Sequence, residues 1–81
     1  MRTTKQAAFD YARYFSPDAE VHGETTRYYY YNQTRARFAA GQARKDARQL
    51  RRQGYVIPNT VGQTTQMTKG HFAGMVEVIL P

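Results

Sequence analysis

Apolar residues along this chain recur with two different periods, and the switches between them divide it into helical and extended segments. Ala7, Ala8, Tyr11, Ala12, Tyr14 and Phe15 fall at helical spacing behind Thr3 and Gln6, a capping-box pair, and predict a helix from about residue 4 to 15. Pro17 pushes the residue before it out of the α region, so that helix should end at Ser16. Residues 16–24 are acid-rich and punctuated by Pro and Gly, the composition of a surface loop. Thr25-Thr26-Arg27-Tyr28-Tyr29-Tyr30-Tyr31 is a run of β-formers, read as a strand whose tyrosines alternate between two faces, one pair buried and the other wet.

After Asn32-Gln33 the pattern supports two readings. Either residues 34–38 return as a short strand, or Thr34 caps a helix that starts at once. Phe38 would leave such a helix on its wrong side, which favours ending a strand there and starting the helix nearer Gly41. From about residue 40 to Gln53 the helix is clear: Ala36, Ala40, Ala43, Ala47 and Leu50 make one stripe, spaced four, three, four and three. Arg37, Arg44, Arg48, Arg51 and Arg52 make a second, roughly 60 to 160° round from the first, and Gln42, Asp46, Gln49 and Gln53 a third. A seam of alanines has low relief and should lie close against a sheet. Gly54 is the expected left-handed residue that closes the helix.

Tyr55-Val56-Ile57 then reads as a strand broken at Pro58-Asn59, and residues 61–69 as an exposed or edge strand. Residues 72–80 are apolar on both faces, the mark of a central strand, with Gly74 as a bulge or point of close approach. The expected fold is a small single α+β domain over residues 1–81, with an antiparallel or mixed sheet of about three to five strands and two helices packed against it.

Length and composition narrow the function. A chain of 81 residues supports one core and shallow sites. With no cysteine it has neither disulfides nor thiolate chemistry, and with no apolar h-region or span-length run it reads as a cytoplasmic protein. Net charge is +6, and the excess lies in one segment: between residues 25 and 52, Arg27, Arg35, Arg37, Arg44, Lys45, Arg48, Arg51 and Arg52 face Asp46 alone. Solvating helix faces usually interleave acids with bases, so an unbalanced stripe points to a partner that neutralises it.

Catalytic inventory is thin. His22 and His71 lie in different predicted loops with no nucleophile or carboxylate at a motif spacing, and no phosphate-cradling glycine loop is present. Glu20, His22, Glu24 and His71 have no metal-selecting spacing, and His71 after Gly70 reads as a turn residue. The expectation is therefore no enzyme, no cofactor, no metal and no small-molecule substrate. Nor does a basic helix carry the large apolar anchors that a membrane surface requires. An exposed tyrosine pair, Tyr28 with Tyr30 or Tyr29 with Tyr31, could work with Arg27, Arg35 and Arg37 as an aromatic and basic platform. The expected role is a nucleic-acid-binding accessory protein using Arg27, Tyr29, Tyr31, Arg35, Arg37, Arg44, Lys45, Arg48, Arg51 and Arg52. The alternative is a modulator or inhibitor of the kind phages and plasmids encode, whose basic face docks on an acidic patch of a larger protein or nucleoprotein complex.

Overall fold

The computed structural model describes residues 8–14, 16 and 18–81. Its elements run α1 (Asp10–Tyr14), β1 (Asp18–His22), β2 (Thr25–Tyr30), α2 (Gln33–Arg52), β3 (Thr64–Gln66) and β4 (Val76–Leu80). The strands form one antiparallel sheet in the order β1-β2-β4-β3. The chain is thus a small α+β domain, with α2 lying across one face of a four-stranded sheet.

The long helix starts earlier than its periodicity suggested. Asn32 sits in extended conformation and its side-chain oxygen accepts the backbone N–H of Arg35 at 3.1 Å, capping the first turn. Residues 34–38 are therefore helical and no return strand forms. Ala36, Ala39 and Ala40 carry the apolar seam through those turns, so the seam outweighs Phe38, which is left 58% exposed. Ala36, Ala39, Ala40, Ala43, Ala47 and Leu50 are buried with Tyr30, Val76, Val78 and Leu80 in one core. Burying each large apolar side chain there stabilises by roughly 1.5 to 3 kcal/mol. At the far end Gly54 takes φ 98°, its N–H donating to the Arg51 carbonyl at 3.1 Å while Tyr55 N–H donates to the Leu50 carbonyl at 3.0 Å. That pair of bonds is a Schellman closure.

Two helices on the sheet were expected, and one is found. Within the described residues the N-terminal helix is the five-residue α1, which packs on α2; the proposed cap at Thr3 and Gln6 lies outside them. Phe9, just before α1, adopts φ 70°, with its N–H held by Asp46 Oδ2 at 3.0 Å. The acid-rich segment expected as a loop is instead β1, paired along its length with β2 through a turn at Gly23 (φ 61°). Its acidity reflects its place: β1 is an exposed edge, where charge discourages pairing with other chains. Tyr55-Val56-Ile57 stays outside the sheet, with Val56 fully in solvent and Ile57 in the core. β3 is the exposed edge strand expected, and β4 is central, although it begins at Val76 after turns at Gly70 and Gly74.

Register fixes the two faces of the sheet. Tyr28 and Tyr30 point to α2 with Val76, Val78 and Leu80, whereas Arg27, Tyr29 and Glu77 point the other way.

Candidate functional site: the basic surface of the long helix

Six of the seven cations of α2 divide into two groups. Arg44 and Arg51 lie beside the loop that follows the helix and are committed to it. Arg44 Nη1 donates to the Gly62 carbonyl at 2.8 Å, and Arg51 donates to the carbonyls of Ile57 and Pro58, each at 3.0 Å from Nη2. Gly62 makes room for the first contact, since at its φ of 90° a Cβ would fall 2.4 Å from Arg44 Cγ. Arg37, Lys45, Arg48 and Arg52 are exposed on the outward side and form no salt bridge among the described residues.

Asp46 is the one carboxylate between residues 25 and 52, and it does not neutralise them. It sits on the flank toward α1, accepting the Phe9 N–H and, at 3.3 Å, the Gln42 amide. Arg35 belongs to that same flank by helical spacing, away from the main stripe.

The expected tyrosine platform does not form. Tyr29 is 3% exposed because Phe72 stacks on it with centroids 3.7 Å apart and planes 6° from parallel, and His71 meets Phe72 edge-on. Tyr28 and Tyr30 face the core, and only Tyr31, beyond the strand's end, is in solvent. Arg27 is likewise separated from the helix stripe by the sheet. Its Nη1 lies 3.5 Å from Glu77 Oε2, which also accepts the Tyr29 hydroxyl at 3.3 Å. Tyr29 is thus part of a buried structural cluster with Glu77, to which the half-exposed Arg27 is tied on the far side of the sheet from the helix stripe. Glu77 was missed at the sequence level, although a lone carboxylate inside an apolar run was the available signal. Burial, followed by the charge of Glu77, raises the Tyr29 pKa; burial, followed by Tyr28, pushes Tyr30 up to about 12.

The remaining polar groups assemble little chemistry. His22 and Glu20 pair at 2.7 Å on the exposed hairpin, and no group of three or more His, Asp or Glu side chains suited to a metal forms among the described residues. An open hollow lined by Glu24, Val56, Ile57, Pro58 and Pro81 holds a single carboxylate. No helix among the described residues is long and apolar enough to cross a membrane. No protein-family model matches the chain, and no curated protein or solved structure matches it either.

Proposed function

We propose that this protein is a non-enzymatic binding protein that holds nucleic acid by its phosphate backbone along the outward side of α2. One observation carries the reading: Arg37, Lys45, Arg48 and Arg52 are exposed without an acidic partner among the described residues, while Asp46 is turned away and committed elsewhere. Like charges at Arg44 and Arg48, and at Arg48 and Arg52, each cost roughly 0.2 to 0.5 kcal/mol in the free helix. A chain of phosphates removes that cost and releases its own counterions. The helix is about 30 Å long, enough to track several consecutive phosphates.

A second reading keeps the basic surface and changes the partner to an acidic patch on another protein. What favours it is the burial of Tyr29 beneath Phe72, which leaves the strand with no exposed ring pair for bases. Titration of the purified protein with single- and double-stranded nucleic acid at two salt concentrations separates the two. Binding that weakens steeply with salt is expected. Absence of binding to either form at ~50 mM salt, where counterion release is strongest, would transfer the account to the protein-docking reading.

A further inference from the structure

Three aromatic rings outside the strands are left exposed in the part of the chain around the start of α2. Tyr14, Tyr31 and Phe38 are 81%, 75% and 58% exposed, among the largest apolar surfaces the molecule leaves in water. Their placement follows from the chain path. Tyr31 immediately precedes the Asn32 cap, and Phe38 lies about 10 Å further along the axis, on the second turn. Phe9 is tied to Asp46 well along α2, while the Ser16 hydroxyl donates to the Tyr29 carbonyl at 2.9 Å beside the helix start. The chain through α1 therefore runs back toward that start, bringing Tyr14 to the same end.

Next to Phe38, one turn on, stands Gly41. A Cβ there would meet only the Arg44 guanidinium at 3.9 Å, so packing does not demand glycine, which costs about 1 kcal/mol relative to alanine inside a helix. It leaves a low, half-buried stretch of helix between Phe38 and the cations, with the Arg44 guanidinium beside it.

We infer that the nucleic acid this surface takes is single-stranded, with bases stacked on Tyr31 and Phe38 while the adjoining phosphates follow Arg37, Arg48 and Arg52. The inference rests on the polyanion reading above and adds the form of the partner. Unpaired bases present their faces to aromatic rings, whereas a duplex buries those faces in its own stack. The cations agree, because they occupy the outward side and the flank toward the 57–62 loop, and the opposite flank carries Gln42, Asp46, Gln49 and Gln53 with only Arg35. The phosphates of one strand can follow such a one-sided stripe.

The test compares the full chain with a Tyr31→Ala, Phe38→Ala double variant, each titrated with a single-stranded oligonucleotide and a duplex of equal phosphate number. Wild type should prefer the single strand, and the double variant should lose about ten-fold or more of that affinity with no change in salt slope, since stacking releases no counterions. Duplex binding should not respond. Phe38→Leu, which keeps apolar bulk and removes the ring face, should reproduce the Phe38 part of the loss with the unfolding midpoint retained. Equal affinity for both forms, or single-strand affinity unchanged in the double variant, overturns the inference and leaves the polyanion reading standing. Failure of wild type to bind either form overturns both.

Discussion

Arg51 and Arg48 are the same residue type one turn apart, and their surroundings give them different duties. Arg51 satisfies two loop carbonyls at the point where the chain leaves α2, whereas Arg48 makes no such contact among the described residues. Arg51→Ala should therefore lower stability by about 1 kcal/mol in urea unfolding. Arg48→Ala should leave the midpoint within about 0.5 kcal/mol. Equal losses at both positions would refute the division of the stripe. Tyr30 supplies a second expectation at this scale. Its folded pKa of about 12 exceeds the ordinary 10.0, so the folded state favours the neutral phenol. That contribution is complete below pH 10 and is lost as pH rises through 12. Tyr29, raised in the same direction, adds to it. Unfolding free energy should hold up to about pH 10 and then fall, less steeply in Tyr30→Phe. A flat profile through that window would contradict the burial of the ring.

Elements were legible to the extent that one force dominated each. The alanine seam of α2 was plain because burial against a sheet imposes one spacing on every turn, and the structure adds only Ala39. Its first turns were not plain. There a bulky Phe38 suggested the wrong face, and the deciding contact was a side-chain cap at Asn32. β1 was hidden by its charge, since an edge strand exposed on both faces has no apolar alternation to display. β2 was read as a strand, yet the sequence could not reveal that a loop residue 43 positions later, Phe72, would cover its outer face. The seam itself predicts that Ala47→Leu, at a site 1% exposed, destabilises by roughly 1 to 3 kcal/mol through overpacking. An unchanged thermal midpoint would show that α2 does not lie so close to the sheet.

Across the whole molecule, charge is sorted by position. The acids Asp18, Glu20 and Glu24 gather at the β1–β2 hairpin, while Arg37, Lys45, Arg48 and Arg52 occupy the outward side of the opposite layer. A polyanion is thereby steered toward the helix and away from the hairpin. The candidate site was half legible in the sequence. Arg37, Lys45, Arg48 and Arg52 could be read from spacing, whereas the commitments of Arg27, Arg44 and Tyr29 depend on partners distant in the chain, and that of Arg51 on how the loop after the helix folds back. The most direct measurement is the slope of log affinity against log salt on single-stranded nucleic acid, for wild type and for the Arg37→Ala, Arg48→Ala, Arg52→Ala triple variant. If each arginine neutralises one phosphate, the triple variant should lose about 2 units of slope while unfolding at the wild-type midpoint. An identical slope in the two proteins would contradict the assignment of binding to the outward side of α2.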